Sequence, residues 1–234
     1  MTTVDVVIPV HNEEHVLARS IATLRGFLQE NLAQGWKITI ADNASTDKTW
    51  EIAQALSQQH LDIATIHLGE KGRGRALRKA WLESTADVVS YMDVDLSTDL
   101  AAFPKLIQAI DNGYDIAIGS RLLPNSSVKR SFKRELASRS YNLLIKAMFK
   151  TNFSDAQCGF KALSTEAARE LVPLIQDQSW FFDTELLILA HKKGYRIMEI
   201  PVAWIEDPDT RVSIPQTAFN DVKGLLRMRF RPLP

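Results

Sequence analysis

The chain has 234 residues, of which 45% are hydrophobic and 24% are charged, values that are typical of a soluble globular domain. Its 28 basic and 28 acidic residues give a formal net charge of zero, so charge gives no reason to expect nucleic acid as a partner. The single cysteine, Cys158, excludes an internal disulfide and favours a reducing compartment. We expect no membrane span, because no run of about 18 apolar residues occurs, and no secretory leader, because the N-terminus lacks a basic region and a cleavage site.

The first half of the chain alternates strand-like and helix-like segments. Four apolar runs predict buried strands: VDVVIPV, WKITIAD, LDIATIHL and ADVVSYMD. Between them, three segments have helical spacing or helix-capping residues: NEEHVLARSIATLRGFLQE, STDKTWEIAQALSQQ and RALRKAWLEST. Connections of this length suit right-handed crossovers. The pattern therefore predicts an α/β fold with a mostly parallel, Rossmann-like sheet that is covered by helices on both faces.

The second half of the chain continues this pattern less regularly. Helices are predicted at LAAFPKLIQAID, KRSFKRELASRSYNLLIKAMFK, TEAARELVPLI and DTELLILAHKKG, and strands at YDIAIGSR and YRIMEIPV. No internal repeat or low-complexity linker interrupts the chain, so we interpret it as a single domain. The run from Lys129 to Lys150 contains seven basic residues and one acid, Glu135. It is either a solvated helix face or, since apolar residues are interleaved, an amphipathic helix at a membrane surface.

Polar residues follow each of the first four predicted strands. In an open parallel sheet, ligands bind beyond the carboxyl ends of the strands, so these residues are expected to share one edge. They are Pro9, His11, Asn12 and Glu13 after the first strand, Asp42, Asn43, Ser45 and Asp47 after the second, Lys71 to Gly74 after the third, and Asp93 and Asp95 after the fourth.

Asp93 and Asp95 flank a single residue at the end of the fourth strand. Two carboxylates so close repel each other unless a cation neutralises them. Hard oxygen ligands on a short loop suit Mg²⁺ or Mn²⁺ shared with substrate phosphates. The alternative is an acidic turn in which Ser97 and Asp99 cap the following helix.

The glycine-rich stretch GEKGRGRALRKA matches neither the Walker A pattern nor GxGxxG. It is either a glycine turn before a cationic helix or a flexible basic loop facing a diphosphate. In the second interpretation, Lys71 supplies a point charge.

Seven motifs occur in order along most of the chain: VVIPVHNEE, IADNASTDKT, GEKGRGRAL, YMDVDLSTD, IAIGSR, DAQCGFKALS and WFFDTELLILAHKKGYRIMEIPV. Together they resemble the inverting, GT-A-fold glycosyltransferases of family 2, and within that family the dolichyl- or polyprenyl-phosphate sugar synthases. The last two motifs look more like the glucosyltransferase branch than the mannosyltransferase branch. His11 departs from the tyrosine or phenylalanine common in the first motif, and the transmembrane helices frequent in bacterial relatives are missing.

The resemblance implies a role for each matching residue. On the donor side, Asp42 would face the nucleotide base, Asp93 would lie near the ribose and the metal, and Asp95 would bind the metal that bridges the diphosphate. The implied nucleotide-sugar pocket comprises Pro9, His11, Glu13, Asp42, Asn43, Lys71, Asp93 and Asp95. The implied catalytic set is Asp93, Asp95, Lys71 and Arg121.

On the acceptor side, Arg121 would face phosphate, and Arg134 and Ser138 match a spacing used to hold a lipid phosphate. The implied acceptor set is completed by Gln157, Asp183 and Glu185. The resemblance also divides the domain into a nucleotide-sugar-binding half, residues 1–99, an acceptor-binding half, residues 100–215, and a basic amphipathic segment, residues 216–234.

We therefore expect inverting transfer of a hexose from a nucleotide sugar to a polyprenyl or dolichyl phosphate, with Mg²⁺ or Mn²⁺ as cofactor. The donor is expected to be UDP-glucose, with GDP-mannose next. A phosphate monoester is largely dianionic at pH 7 and needs cations for positioning rather than a base. The expected location is the cytoplasm, peripheral at the cytoplasmic face of the membrane.

Three other interpretations remain open. The nearest is a family 2 enzyme that acts on a sugar hydroxyl in polysaccharide or O-antigen synthesis, with Asp183 or Glu185 as the general base. A nucleotidyltransferase is disfavoured because its glycine-rich basic signature is absent near the N-terminus. A nucleotide-sugar-binding domain without turnover is disfavoured by the intact carboxylates.

Overall fold

The computed structural model describes residues 2–206 and 214–230. Residues 207–213, which belong to the predicted acceptor half, and residues 231–234, which end the predicted C-terminal segment, lie outside the described residues. The strands are β1 (Thr3–Val10), β2 (Gly35–Asn43), β3 (Ile63–Leu68), β4 (Val88–Met92), β5 (Ile116–Ser120), β6 (Ser127–Lys129), β7 (Phe160–Ser164), β8 (Ile197–Pro201) and β9 (Ala203–Ile205). The helices are α1 (Leu17–Asn31), α2 (Thr49–Gln59), α3 (Arg73–Glu83), α4 (Phe103–Asp111), α5 (Phe132–Phe149), α6 (Thr165–Leu171), α7 (Phe182–Lys192) and α8 (Ile214–Phe230), with 3₁₀ turns at Leu100–Ala102 and Val172–Leu174.

Seven strands form one sheet in the order β3-β2-β1-β4-β7-β5-β8. All neighbouring pairs are parallel except those of β7, which is antiparallel to both β4 and β5. The predicted mostly parallel α/β sheet is therefore confirmed. Strand β7 was not predicted, because five residues in a motif without clear alternation carry little periodic signal.

The antiparallel direction of β7 matters for the site. Its first residue, Phe160, pairs with Met92 at the last position of β4. The segment that precedes β7, residues 153–159, therefore reaches the same edge of the sheet as the carboxyl ends of β1, β2, β4 and β5. A second small sheet, in which β6 and β9 pair in parallel, follows β5 and β8 at that edge.

Two apolar layers cover the faces of the sheet. Helix α1 contributes Leu17, Ile21, Leu24 and Leu28, which are all buried, and this confirms the face predicted from their spacing. On the opposite face, Trp81 of α3 packs against Tyr91 of β4 and Phe182 of α7, with ring centroids 5.9 Å apart in each pair. These buried ring contacts fix α3, β4 and α7 relative to one another, and the polar residues of the site lie on or next to these elements.

Helix α8 packs onto the domain through one face. Asp221, Gly224, Leu225 and Met228 recur at helical spacing and are buried. A Cβ atom at Gly224 would lie 2.5 Å from the ring of Phe181, so only glycine allows this close approach. Nη2 of Arg227 also binds Glu185 of α7 at 2.5 Å. None of the helices within the described ranges is long and apolar enough to cross a membrane.

Candidate active site

The loops after β1 and β2 are fastened to each other. Asn12, which has a positive φ of 58°, donates its backbone N–H to Ser45 Oγ at 2.9 Å and accepts from the backbone N–H of Thr46 at 2.8 Å. The backbone N–H of Glu13 donates to Thr49 Oγ1 at 2.7 Å. The interlocked loops hold Glu13 beside the β2 edge, and Pro9 pairs with Ala41 within the sheet.

The end of β2 carries a buried carboxylate. Asp42 is fully buried, and its Oδ2 lies 2.6 Å from Nδ1 of His67 on β3. Its other oxygen, Oδ1, is buried and has no hydrogen-bond partner. The His67 ring packs against Trp50, with centroids 4.8 Å apart. A buried carboxylate oxygen without a partner is costly, and this one is suited to accept an N–H group from a ligand.

Asn43 joins the three predicted donor loops. Its carbonyl oxygen lies 2.9 Å from Nδ1 of His11, and its side-chain oxygen accepts from the backbone N–H of Gly72 at 2.6 Å. Lys71, the neighbour of Gly72, is exposed at the loop surface. The structure thus brings His11 and Asn43 together and leaves the Lys71 side chain outside this network of bonds, so the role of Lys71 stays a prediction.

Arg73, which was expected at this edge but was given no role, lies between the predicted donor and acceptor residues. Its Nη2 binds Asp93 Oδ1 at 2.6 Å, and its Nη1 binds Asp183 Oδ2 at 2.8 Å. The guanidinium lies 4.9 Å from the ring centroids of both Tyr91 and Trp180. Burial alone would lower the pKa of Arg73, but the two carboxylates outweigh it and hold that pKa above its usual value. Arg73 therefore connects Asp93, a predicted metal ligand, to Asp183, a predicted acceptor residue.

Asp183 is held by two cations and a phenol. Besides Arg73, it is bound by Nζ of the fully buried Lys161 at 3.0 Å and by the Tyr91 hydroxyl. Burial would raise the pKa of Asp183, but Lys161 and Arg73 outweigh it, and the pKa lies below its usual range. A carboxylate stabilised in this way is a weak proton acceptor. Asp183 is thus positioned as an anchor for cations.

Asp93 and Asp95 lie just beyond the end of β4, as predicted. Asp93 is partly exposed, and a Cβ atom at Gly159 would lie 1.9 Å from its Oδ2. The carboxylate of Asp93 therefore occupies the space that a side chain at residue 159 would fill. Asp95 is exposed, and its Oδ1 accepts from the backbone N–H of Ser97 at 2.9 Å.

The alternative capping interpretation is correct for Asp99, whose side chain accepts from the backbone N–H of Ala101. Within residues 2–206 and 214–230, no group of three or more His, Cys, Asp or Glu side chains is arranged as a complete metal site. Two carboxylates suit an ion that keeps water and substrate oxygens as its other ligands.

Arg121, at the end of β5, is clamped by Asp155. Nε and Nη2 bind the two oxygens of this carboxylate at 2.8 and 2.9 Å, and the backbone N–H of Arg121 donates to it as well. Burial would raise the pKa of Asp155, but Arg121 outweighs it and lowers that pKa to about 2. The guanidinium also lies over Trp204 at 5.5 Å. This bidentate pair fixes the direction of Arg121.

Arg134 and Ser138 lie one turn apart on α5. Nη1 of Arg134 binds Glu206 at 2.8 Å, and about a quarter of its side chain is exposed. Oγ of Ser138 is buried and has no hydrogen-bond partner. The two predicted acceptor residues therefore share a helix face, and the hydroxyl of Ser138 has unused bonding capacity.

Gln157 and Glu185 both contact α8. Nε2 of Gln157 donates to Asp221 Oδ2 at 2.8 Å, and the backbone N–H of Gln157 donates to Asp155 Oδ1 at 3.1 Å. Glu185 accepts from the backbone N–H of Asp177 and pairs with Arg227. Glu185 therefore fastens α8 to α7, and Gln157 connects α8 to the turn that holds Arg121.

Four side chains of this edge had no role assigned from the sequence: Arg73, which was expected at the edge, and Asp155, Lys161 and Asp221, which were not. Three of them stood inside or beside quoted motifs, GEKGRGRAL for the first and DAQCGFKALS for the next two. Each of these three charged residues stands in an apolar or glycine-rich stretch of sequence. Because a buried charge needs a partner, this placement could have indicated a site residue. Asp221 had no such signal.

The chain matches the family model described as glycosyl transferase family 2 over residues 5–172. Among curated proteins, it is 36% identical to glycosyltransferase AglD of Haloferax volcanii over 230 residues, which cover 96% of this chain and 36% of AglD. It is 28% identical to the dolichyl-phosphate beta-glucosyltransferase of Saccharomyces cerevisiae, covering 96% of this chain and 73% of that protein. With the dolichol-phosphate mannosyltransferase of Pyrococcus furiosus the identity is 32%, over 85% of this chain and 55% of that protein.

The chain therefore spans about a third of AglD and just over half of the archaeal mannosyltransferase. Among solved structures, glucosyl-3-phosphoglycerate synthase from Mycobacterium tuberculosis in complex with UDP superposes with a TM-score of 0.74 at 18% identity, covering 99% of this chain and 81% of that one. This likeness confirms the expected GT-A fold. Since the family model covers most of the chain and the fold agrees, the chain belongs to glycosyl transferase family 2.

Proposed function

We propose that this protein is an inverting glycosyltransferase that moves a hexose from a nucleotide sugar to a polyprenyl or dolichyl phosphate. UDP-glucose is the favoured donor and GDP-mannose the next. The observation that carries the proposal is the charge pattern of the acceptor side. Asp183 and Glu185, the carboxylates predicted as bases for a hydroxyl acceptor, are both engaged in buried ion pairs. A phosphate acceptor needs no base. Arg121 and Arg134 are paired with Asp155 and Glu206, but each guanidinium has five N–H donors and can bind a phosphate as well.

The donor side supports a nucleotide ligand. Oδ1 of Asp42 is buried without a partner at the end of β2, and it can accept the ring N–H of uracil or guanine. The neighbouring Trp50 and His67 rings form an aromatic wall. Yeast dolichyl-phosphate beta-glucosyltransferase is similar along nearly the whole chain, which favours a glucose donor.

A divalent cation fits the end of β4. Asp93 and Asp95 offer hard oxygen ligands there, and both side chains are accessible. The M. tuberculosis synthase, which shares the fold, has been crystallised with Mn²⁺ and UDP. We propose that Asp95, assisted by Asp93, holds Mg²⁺ or Mn²⁺ beside the diphosphate. When bound, the ion supplies Lewis-acid stabilisation of the charge that develops on the leaving nucleoside diphosphate.

The chain's own residues orient the two reactants. An acceptor phosphate oxygen forms the new bond to the anomeric carbon while the bond from that carbon to the nucleoside diphosphate breaks, so the configuration inverts. With a second pKa near 6, the phosphate is mostly dianionic at pH 7. Arg121, fixed by Asp155, and Arg134, on the face of α5 that also carries Ser138, would position it by charge-assisted hydrogen bonds. Arg73 would hold Asp93 and Asp183 at the junction of the two sites.

A membrane surface is the proposed location of the acceptor. Helix α5 exposes Phe132, Leu136 and Leu143, and α8 exposes Phe219 and Phe230. Exposed basic residues, among them Lys133 and Lys223, are interleaved with them. Such faces suit the interface of an anionic lipid bilayer. We propose peripheral attachment at the cytoplasmic face.

A transfer assay tests the function. Radiolabelled UDP-glucose or GDP-mannose is offered together with polyprenyl phosphate in detergent, or with an oligosaccharide. We expect a radiolabelled lipid product that forms faster from UDP-glucose and requires Mg²⁺ or Mn²⁺. Label in the oligosaccharide alone would refute the phosphate acceptor, and donor binding without any transfer would favour a binding domain.

A further inference from the structure

Asp221 is an unassigned carboxyl group on the inner face of α8, beyond the residues that the family model covers. It is 3% exposed. One oxygen, Oδ2, accepts from the side-chain amide of Gln157 at 2.8 Å. The other, Oδ1, is buried and has no hydrogen-bond partner. A half-satisfied buried carboxyl group is expensive to keep, which indicates a binding role for the unused oxygen.

The surroundings of Asp221 are those of the acceptor side. Gln157 connects it to Asp155, whose carboxylate accepts from the Gln157 backbone and clamps Arg121. Helix α8 is held in place by the Arg227 to Glu185 pair and by the close approach of Gly224 to Phe181. The carboxyl group is therefore fixed in position relative to the arginine that would receive the acceptor phosphate.

We propose that Asp221 is an acceptor-site residue that orients the Gln157 amide through Oδ2 and presents Oδ1 to an oxygen of the acceptor. The inference rests on the proposed function, because it takes the acceptor to be a phosphate monoester. Oδ1 would then donate a hydrogen bond to a phosphate oxygen. That requires the carboxyl group to carry its proton.

The charges around Asp221 favour this protonated form. Burial, opposed by the hydrogen bond from Gln157 and assisted by the carboxylates of Asp177 and Asp183, raises the pKa of Asp221 to about 7. Tyr141 of α5, whose own pKa is raised by burial and by Asp221, is a further titratable group near it. Above pH 7 the proton is lost, and a carboxylate would then face a dianionic phosphate. Acceptor binding should therefore weaken as the pH rises through about 7.

The test compares the wild type with Asp221→Asn, Asp221→Ala and the control Asp111→Asn, which alters an exposed carboxylate at the end of α4. Steady-state transfer from UDP-glucose to polyprenyl phosphate is measured from pH 5.5 to about 9, a range chosen to span the titration. The KM values for donor and acceptor are determined separately. Circular dichroism melts confirm that each variant is folded, and Asp221→Asn, being nearly isosteric, covers the case in which Asp221→Ala does not fold.

In the wild type and the control, we expect kcat/KM for the acceptor to fall above about pH 7. Asp221→Asn should retain acceptor binding, because its amide also donates, and should lose this fall. Asp221→Ala should raise the acceptor KM about tenfold or more, the loss of a hydrogen bond to a charged group, with the donor KM changed less than about twofold.

Unchanged acceptor KM values and an unchanged pH profile in both variants, with normal wild-type transfer, would overturn the inference and leave the proposed function intact. Activity that rises through pH 7 and is lost in Asp221→Asn would also overturn it, because it would make Asp221 a general base. A wild type that transfers nothing to polyprenyl phosphate would refute the proposed function, and the inference with it.

Discussion

Gly159→Ala tests how closely residue 159 packs against Asp93, one of the two proposed metal ligands. The added Cβ atom would lie 1.9 Å from Oδ2, 2.5 Å from Cγ and 2.8 Å from Oδ1 of Asp93. Ordinary contacts between carbon and oxygen atoms are longer than about 3 Å, so the carboxylate must move by about 1 Å or more. Asp93 is bound to Arg73 through Oδ1, and this displacement therefore also disturbs the bridge to Asp183.

The cost of Gly159→Ala should appear in catalysis more than in stability. Because the Asp93 side chain can rotate towards solvent, the loss of unfolding free energy should stay near about 1 kcal/mol, the low end for overpacking. A displacement of about 1 Å in a positioning group costs roughly 100-fold in rate. We therefore expect kcat to fall about 100-fold while the melting temperature changes by only a few degrees.

Metal-dependent transfer and thermal melts measure the two effects together. The matched control is Gly26→Ala on the exposed face of α1, where an added Cβ would meet no atom within 4 Å. This control should keep full activity and gain up to about 1 kcal/mol of stability, because alanine favours the helix. Wild-type activity in Gly159→Ala, or an equal loss in both variants, would refute the packing argument.

Two further predictions concern the acceptor side. Arg134→Ala should raise KM for polyprenyl phosphate about tenfold or more while KM for the nucleotide sugar stays within about twofold, because a charge-assisted hydrogen bond to phosphate is lost; an unchanged lipid KM would count against this role. Asp155→Asn leaves buried Arg121 without its counter-charge and should cost about 2–5 kcal/mol, read from denaturant unfolding. Because the pKa of Asp155 is lowered to about 2, its contribution in the wild type, about 2 kcal/mol, is present above pH 4 and is lost as the pH falls through about 2. A variant as stable as the wild type at pH 7 would contradict the clamp.

Local sequence patterns predicted the buried face of α1 and the position of the two aspartates after β4. The face of α1 was visible because its four leucine and isoleucine residues repeat at helical spacing, and Asp93 and Asp95 were visible because they are adjacent to the end of an apolar run. Both signals arise within a few residues of sequence. The structure places these features where the sequence indicated.

The interior of the site was not predictable in the same way. Arg73 and Asp183 are 110 residues apart, and Gln157 and Asp221 are 64 apart, so no local pattern connects either pair. The antiparallel direction of β7 likewise depends on contacts between residues that are distant in sequence. This direction brings residues 153–159 to the edge of the sheet that carries the candidate active site. Glycine at residue 159 was visible in its motif, but its physical reason, the carboxylate of Asp93, appears only in three dimensions.

The central claim is that the carboxylates beyond β4 hold a divalent cation for the donor diphosphate. Isothermal titration of UDP, with and without Mn²⁺, into the wild type and Asp95→Ala tests it most directly, with Asp99→Ala as the control from the same loop. We expect Mn²⁺ to tighten UDP binding about tenfold or more in the wild type and in Asp99→Ala, and to have no effect in Asp95→Ala. An equal Mn²⁺ effect in Asp95→Ala would contradict the account.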